Sequence, residues 1–372
     1  MSAYIYNRKD WPNLFWDADN LLGLLSVVRN KQGILTGKMG SIGFNLQNEA
    51  YLETLSQDVI KSSEIEGEIL DTGQVRSSVA RKLGIDIGGL VESERHVDGV
   101  VEMMMNATQQ WSDVLNEERL FGWHSALFPS GRSGLNKIIV GDWRDNSTGP
   151  MQVVSGPMGK ETVHFQAPPA EKISNEMEKF FHWVNSENNI DPVLKAAISH
   201  LWFVTIHPFE DGNGRIARAI TDMMLCRSEK KTQRFYSISS QINLQKKEYY
   251  EMLESAQKGS LDITDWLQWF LGCMEKAIDS SSEIVQKIIS KHMFWNEHKA
   301  STFNKRQKKI IELLFGGFFG KLTTSKWAKI NKCSQDSALR DIQDLMKKGV
   351  LKKSESGGRS TSYELIDPPS GS

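Results

Sequence analysis

The sequence predicts a mainly α-helical protein built from two or three domains. Its 372 residues are too many for one ordinary core. Hydrophobic residues make up 39% and charged residues 24%, which is the composition of a folded chain and not of a disordered one. Apolar residues recur at spacings of three and four along most of the chain, which is the period of an amphipathic helix. Together these observations set the expected fold class.

The first region, residues 1–98, is predicted to be a helical extension. Apolar periodicity predicts a helix over residues 49–60 and another over residues 97–115. No stretch approaches the roughly 18 consecutive apolar residues that a membrane span needs. The first ten residues also lack the apolar run of a signal peptide. We therefore expect a cytoplasmic protein without a membrane partner.

Residues 99–275 form the predicted core domain. Helical periodicity recurs over residues 174–184 and 192–206. Between the earlier and later helices, residues 151–165 carry β-branched pairs around the loop Ser155-Gly-Pro-Met-Gly159, which predicts a β-hairpin. Pro168 and Pro169 then end the second strand and start the next helix.

Residues 290–372 are predicted to form a winged helix-turn-helix module. Apolar periodicity fades over residues 290–303, and three short helical stretches and a pair of strands follow. Residues 304 to 366 contain 14 Lys and Arg against 6 Asp and Glu, so the module is basic and DNA is an expected partner. A solvated basic face or a protein-docking wing is the alternative. The expected helices cover residues 305–314, 325–330 and 335–348, and the strands flank a Gly357-Gly358 turn within residues 350–366.

The three cysteines do not indicate a disulfide framework or a zinc site. Cys226, Cys273 and Cys333 are far apart, and no two of them form a Cys-x-x-Cys pair. Each lies in a stretch that is expected to be helical.

One short segment concentrates residues that could act on phosphates. The helix over residues 192–206 should end at His207-Pro208, and a new helix should begin near Asn213. Between them Gly212 and Gly214 permit close approach of a ligand to the backbone. Free amides at the helix start, with Arg215 and Arg218 one turn apart, would make an anion site for more than one phosphate. Asp211 could hold Mg²⁺, and His207 could act as a general base.

The segment His207-Pro-Phe-Glu-Asp-Gly-Asn-Gly-Arg215, followed by Arg218, resembles the complete motif of the Fic family. The resemblance implies a helical Fic core with a β-hairpin flap. It also implies ATP as substrate, Mg²⁺ as cofactor, and transfer of AMP to a Ser, Thr or Tyr hydroxyl of a target protein or of the enzyme itself. His207 would activate the hydroxyl, Arg215 would stabilise the leaving pyrophosphate and Arg218 would grip the γ-phosphate. The nucleotide-binding residues implied in this segment are Asp211, which also holds the metal, Gly212, Asn213, Gly214, Arg215, Ile216, Ala217 and Arg218.

Two further segments resemble parts of the same family. Residues 153–166 resemble the flap, which binds a target segment as an added strand. The implied docking residues are Val163, His164, Phe165 and Gln166. Tyr249, Tyr250 and Gln257 resemble the helix that closes over adenine and ribose, although many relatives have asparagine at the last position. Both tyrosines could equally be core aromatics.

Ser62-Ser-Glu-Ile-Glu66-Gly67 resembles the inhibitory helix of the family. Ser62 and Glu66 are four residues apart and share one helix face. The resemblance implies that Glu66 pairs with Arg218 and occupies the position of the γ-phosphate. Without the family, the same segment would be a solvated acidic helix end.

Three classes of function remain open from the sequence. The first is AMP transfer under this internal brake. The second is a related reaction on the same fold, either removal of AMP from a target or transfer of another phosphoryl group. The third is a DNA-binding regulator with a silent core. The target protein, its acceptor residue and the assembly state, for which a homodimer is one expectation, are not encoded in any motif.

Overall fold

A computed structural model describes residues 4–85, 90–147, 149–156, 159–315, 320–354 and 361–366 of the chain. Residues cluster into two compact units, Met1–Ser282 and Glu283–Ser372. Secondary structure in the described residues is mostly helical with small antiparallel strand pairs, which confirms the predicted fold class. None of the helices in these ranges combines the length and the apolar character that crossing a membrane requires.

The first five α-helices of the first unit are α1 (Ala18–Ser41), α2 (Phe44–Ile65), α3 (Thr72–Leu83), α4 (Arg95–Gln109) and α5 (Glu117–Leu127). Asp17 accepts amide hydrogen bonds at the start of α1, and Asp71 does the same for α3. The predicted helix over residues 97–115 ends earlier, at Gln109, because the Arg119 guanidinium caps the carbonyls of Asn106 and Gln110.

Two helices at the centre of this unit position the candidate site. Helix α7 (Pro192–Ile206) has the predicted bounds, and its residues from Val193 onward are all buried. That burial on every face explains why the helix is apolar all round. Helix α8 (Asn213–Glu229) packs against it and is buried from Arg215 to Cys226. The remaining helices of the region are α6 (Ile173–Asn185), α9 (Ile238–Leu244), α10 (Lys246–Lys258) and α11 (Thr264–Glu297).

The strands of the first unit form two small antiparallel pairs. Strands β1 (Arg132–Ser133) and β2 (Asn136–Lys137) make a short turn near α5. Strands β3 (Gln152–Ser155) and β4 (Thr162–Gln166) form the predicted hairpin, with Val153 opposite Phe165 and a register shift after Val153. Pro157 and Met158 of its predicted loop lie outside the described residues.

The second unit has its own hydrophobic core around Trp327, Ile310 and Ile342. Helix α11 runs on to Glu297, into the stretch where apolar periodicity fades, because Phe294 and Trp295 pack into this core. Cys333 was expected in a helix but lies just after helix α13 (Thr324–Asn331), where Lys332 has a φ of 49°. The elements are α12 (Lys305–Phe315), α13 (Thr324–Asn331), α14 (Gln335–Lys347), β5 (Leu351–Lys353) and β6 (Tyr363–Leu365).

The order of three helices and two antiparallel strands in this unit is the one that the sequence predicts. The predicted Gly357-Gly358 turn lies outside the described residues. Assignment as a winged helix-turn-helix therefore stays a prediction, as does DNA as its partner.

Candidate active site

His207 lies at the junction between α7 and the loop that precedes α8. Its backbone has φ 52° and ψ 59°, a left-handed conformation that ends the helix. Its Nδ1 lies 3.3 Å from the carbonyl oxygen of Val204. Because a carbonyl only accepts, Nδ1 carries the proton in this contact and Nε2 is left as the basic nitrogen. Burial lowers the pKa of His207 to about 4, so the ring is neutral at pH 7 and can accept a proton.

Arg144 holds this junction in place. Its Nε donates to the carbonyl oxygen of His207 at 2.8 Å, and its own amide donates to the carbonyl oxygen of Pro208 at 3.0 Å. A second guanidinium nitrogen donates to the carbonyl oxygen of Pro168, just beyond β4. The side chain is buried, and its remaining nitrogen Nη1 has no hydrogen-bond partner among the described residues. Arg144 thus connects the end of the hairpin to the candidate base.

The loop between His207 and α8 is closed by one asparagine. Asn213, which is buried, donates from Nδ2 to the carbonyl oxygen of Phe209 at 2.8 Å and accepts from the Phe209 amide at 3.0 Å. Gly212 adopts a φ of +81°, a conformation that favours glycine. The Phe209 ring stacks on His124, whose Nε2 donates to the carbonyl oxygen of Asp211 at 3.1 Å. These contacts fix the backbone from Phe209 to Asn213.

Asp211 is the motif carboxylate that was predicted to hold a metal ion. Its Oδ1 accepts from the Gly212 amide at 2.6 Å, and its Oδ2 accepts from the Ser133 hydroxyl. Across the described part of the chain, no cluster of three or more His, Cys, Asp or Glu side chains is arranged to hold a metal. A lone carboxylate fits Mg²⁺ that takes its other ligands from phosphates and water.

Arg218 is enclosed by the end of α2. Its Nε donates to the Ser62 hydroxyl at 2.8 Å, and its Nη2 donates to the Ser62 carbonyl oxygen at 2.8 Å and to Glu66 Oε1 at 2.7 Å. A Cβ atom placed on Gly214 would lie 2.1 Å from Glu66 Oε1. The Glu66 carboxylate therefore lies directly against the first turn of α8, where free amides and the two arginines favour an anion.

Arg215 also has a carboxylate partner, one that the sequence did not predict. Its Nη1 donates to Glu68 Oε2 at 2.6 Å, and its guanidinium carbon lies 5.0 Å from the centroid of the Phe128 ring. Gly67 separates the two glutamates that hold the two motif arginines. A cavity of about 820 Å³ opens beside this pair, and its lining includes Glu66, Glu68, Phe128, Ser133, Asp211 and Arg215.

Most of the other residues that were expected to bind the nucleotide are buried. The side chains of Ile216 and Ala217 are fully buried, so they belong to the core of α8. Tyr249 is buried, and its hydroxyl bonds His200 Nε2 at 2.8 Å, which is the core position that the sequence left open. Gln257 is buried and donates to the carbonyl oxygen of Val204 at 3.3 Å. Tyr250 is 39% exposed and donates to the carbonyl oxygen of Ile65.

The four expected docking residues on β4 divide between solvent and core. Val163 is exposed, whereas Phe165 is buried against Tyr4 and Tyr6. His164 bonds Glu254 of α10 at 2.7 Å and Ser155 of β3 at 2.6 Å. The Gln166 carbonyl oxygen accepts from the Tyr6 hydroxyl at 2.8 Å. The hairpin is thus fixed at its base and at His164.

Comparison with known proteins places two family signatures on the chain. The Fic/DOC family signature matches residues 114–225, and that of a domain of unknown function (DUF4172) matches residues 4–85. A protein adenylyltransferase Fic from Drosophila mojavensis is 27% identical over 256 residues, which are 65% of this chain and 44% of that relative. The protein of the same name from Drosophila melanogaster is 25% identical over 285 residues, which are 73% and 49%. The chain matches less than half the length of these relatives.

Two solved structures share the fold. A Fic family protein from Desulfovibrio desulfuricans G20 covers 97% of this chain and 100% of its own, with a TM-score of 0.56 at 20% identity. A Fic domain containing signaling protein from Bacteroides thetaiotaomicron covers 72% of this chain and 97% of its own, with a TM-score of 0.51 at 21% identity.

Proposed function

This chain belongs to the Fic family, and from that premise we propose that it is a protein adenylyltransferase restrained by its own Glu66. The enzyme transfers AMP from ATP to a Ser, Thr or Tyr hydroxyl of a target protein or of itself. One observation carries the proposal. The Glu66 carboxylate accepts a hydrogen bond from Arg218 and lies against Gly214 at the start of α8, where a nucleotide phosphate would bind.

The residues around this carboxylate suit a polyphosphate. Arg218 Nη1 and Arg215 Nε are buried nitrogens that have no hydrogen-bond partner in the described ranges. Such donors are costly to leave unpaired, and phosphate oxygens are well suited to satisfy them. The dipole of α8 and the unbonded amides of its first turn add to the attraction for an anion. With Glu66 displaced, this region would accept the β- and γ-phosphates of ATP.

The chain's own residues supply an acid–base path for the transfer. The target hydroxyl gives its proton to His207 Nε2 as its oxygen forms a bond to the α-phosphorus. The bond from that phosphorus to the bridging oxygen breaks, and pyrophosphate leaves with the charge that Arg215 stabilises. Mg²⁺ held by Asp211 would supply neutralisation of phosphate charge. His207 is neutral at pH 7, because burial lowers its pKa to about 4, and it is therefore ready to take the proton.

The internal brake follows from competition for one arginine. Arg218 is 1% exposed, so its guanidinium cannot turn towards solvent to serve a second anion. While Glu66 occupies Nη2, a γ-phosphate cannot take the same position. ATP would then bind weakly or with its α-phosphorus out of line with the attacking hydroxyl.

A target segment would add to the exposed side of the β3–β4 hairpin. Val154 and Val163, on paired positions of the two strands, are 48% and 40% exposed. Main-chain hydrogen bonds to a strand edge position one side chain of a target segment and depend little on the sequence of that segment. A hydroxyl-bearing residue placed this way would approach His207, which Arg144 ties to the end of the same hairpin.

The test is transfer of label to protein from ATP labelled at the α- or the γ-phosphate, with Mg²⁺ present. Wild type, Glu66→Gly and the double variant Glu66→Gly/His207→Ala are compared. Glu64→Gly is the matched control, because Glu64 lies on the same helix end but pairs with Lys61 and Asn243 and not with a motif arginine.

We expect α label alone, strongest in Glu66→Gly, absent without His207 and unchanged by Glu64→Gly. Label from the γ position would mean phosphorylation instead. Release of AMP from a modified target by wild type, with no α label in any variant, would favour the removal reaction. Equal labelling of wild type and Glu66→Gly would contradict the brake.

A further inference from the structure

We propose that Glu68 is a second carboxylate that competes with a nucleotide phosphate, and that its competition is for Arg215. This inference rests on the proposed function, because it assigns Arg215 to the phosphates of the same nucleotide. It adds a residue that lies outside the Ser62–Gly67 segment and for which no role was predicted from the sequence. Binding of ATP at full strength in the reactive pose would then require two carboxylates to leave, and not one.

The Glu68–Arg215 contact has the geometry of a specific ion pair. Glu68 Oε2 lies 2.6 Å from Arg215 Nη1. The Arg215 side chain is 7% exposed and packs on the Phe128 ring, so its guanidinium is fixed in direction. The Nε of the same guanidinium is buried without a partner in the described residues. Glu68 therefore neutralises the arginine but leaves some of its N–H donors unpaired. An anion with more oxygens could pair with more of these donors.

The backbone explains how two neighbouring glutamates reach two different arginines. The amides of Glu66 and Glu68 both donate to the carbonyl oxygen of Ser63, at 3.0 Å each, so the chain turns tightly at the end of α2. Gly67 permits this turn with a φ of +84°. The turn places both carboxylates against the first turn of α8, where Arg215 and Arg218 are three residues apart and share a face.

The two contacts differ in how accessible they are. The Glu66–Arg218 pair is reinforced by the hydroxyl and carbonyl oxygens of Ser62. Both glutamates line the cavity, with side chains 30% and 37% exposed, but of the two arginines only Arg215 lines it, at 7% exposure against 1% for Arg218. A ligand phosphate can therefore approach Arg215 from the cavity before the enclosed pair opens. Because solvent screens the more exposed pair, its loss should have the smaller effect.

The test measures ATP affinity directly, by calorimetry without a target protein. The proteins are wild type, Glu68→Gln, Glu66→Gly and Glu66→Gly/Glu68→Gln. Glu64→Gln is the matched control, since this carboxylate on the same helix end accepts from Lys61 and Asn243 and not from a motif arginine. We expect Glu68→Gln to tighten ATP binding about fivefold, which is the scale of one partly screened charge pair. The same substitution should add a further gain on top of Glu66→Gly, and Glu64→Gln should change nothing.

Equal ATP affinity of wild type and Glu68→Gln, with tighter binding by Glu66→Gly, would overturn the proposal. Glu68→Asp provides a second variant, because its shorter carboxylate keeps the charge but should no longer reach Arg215, and we expect it to bind ATP as Glu68→Gln does. The readout also separates the two inferences. Tighter ATP binding by Glu68→Gln without AMP transfer in any variant would support Glu68 and contradict the proposed reaction.

Discussion

The motif loop and the β3–β4 hairpin meet at the same candidate site but are built in different ways. The loop from His207 to Asn213 is closed by buried hydrogen bonds of Asn213 and Arg144. The hairpin is exposed along most of β3, and the described contacts that hold it are at its base and at His164. The difference suggests a division of roles, in which the loop positions reacting groups accurately and the hairpin accepts varied target segments.

Opening the motif loop should have the largest effect on activity. Asn213→Ala removes both bonds to Phe209, so the loop loses its closure and the phosphate site loses its shape. In the Glu66→Gly background we expect transfer of AMP to fall roughly 100-fold, as for a misplacement of about 1 Å at a reacting centre. The measurement is the initial rate of α-label transfer per folded molecule.

Asn185→Ala is the matched control for this variant. Asn185 makes the same pair of bonds with Leu115, since it donates to the Leu115 carbonyl oxygen and accepts from the Leu115 amide, and Leu115 is not a motif residue. Both substitutions should lower the free energy of unfolding by about 2 kcal/mol. Loss of transfer in both variants would mean that the rate follows stability and not loop shape.

The second prediction concerns the connection between the two regions. Arg144→Lys keeps a charge but cannot donate at once to the carbonyl oxygens of His207 and Pro168. We expect kcat to fall about tenfold, which corresponds to ~1.4 kcal/mol of transition-state stabilisation, with little change in the KM for ATP. Steady-state kinetics in the Glu66→Gly background check this split.

Arg119→Lys serves as the control for Arg144→Lys. Arg119 is another arginine that caps backbone carbonyls, those of Asn106, Gln110 and Asp113, and it does so at the end of α4 and not at the motif. We expect it to lose stability and keep its kcat. A fall in kcat of the same size in both variants would remove the positioning role from Arg144.

The sequence predicted the parts of this site that have local signatures. Asp191-Pro192 at one end and His207-Pro208 at the other set the bounds of α7. The spacing of Ser62 and Glu66 indicated one helix face, and both contact Arg218. Arg144 and Glu68 carried no such signal, because their partners are 63 and 147 residues away in sequence. Their roles depend on how the helices pack, which a single sequence does not display.

A single sequence also did not show where two of the helices end. Periodicity alone placed the end of the helix after residue 97 too late, and it faded over residues 290–303 although α11 continues to Glu297. In the first case a distant side chain, Arg119, caps the earlier carbonyls. In the second, Phe294 extends the helix by packing into the core of the second unit. Tertiary contacts decided both ends.

The third prediction is a pH profile that sharpens the role of His207. Burial lowers its pKa to about 4 against an ordinary value of 6.5. The neutral form is the base, so a lowered pKa keeps the base available to lower pH, and activity is lost only as pH falls towards that value. We expect kcat/KM for transfer to change less than about twofold between pH 7.5 and 5.5, where an ordinary histidine would lose about tenfold.

The profile is measured in the Glu66→Gly background, which removes a carboxylate that raises the pKa of His207. ATP affinity over the same range is the control, because protonation of the nucleotide would weaken binding without any change at His207. A half-maximal rate near pH 6.5 with constant ATP affinity would contradict a buried, neutral base.

The smallest expected effect tests the hairpin itself. His164→Ala removes the bonds from β4 to Glu254 of α10 and to Ser155 of β3, and it leaves the motif loop untouched. Without these bonds the hairpin would become ordered only when a target pairs with it. The KM for a protein target should therefore rise about threefold, while kcat and ATP affinity stay constant. His182→Ala, on the exposed face of α6, is the control and should change none of these constants. A fall in kcat with no change in the KM for the target would mean that His164 acts on the chemistry through α10. The separation between a fixed loop and an adaptable hairpin would then no longer hold.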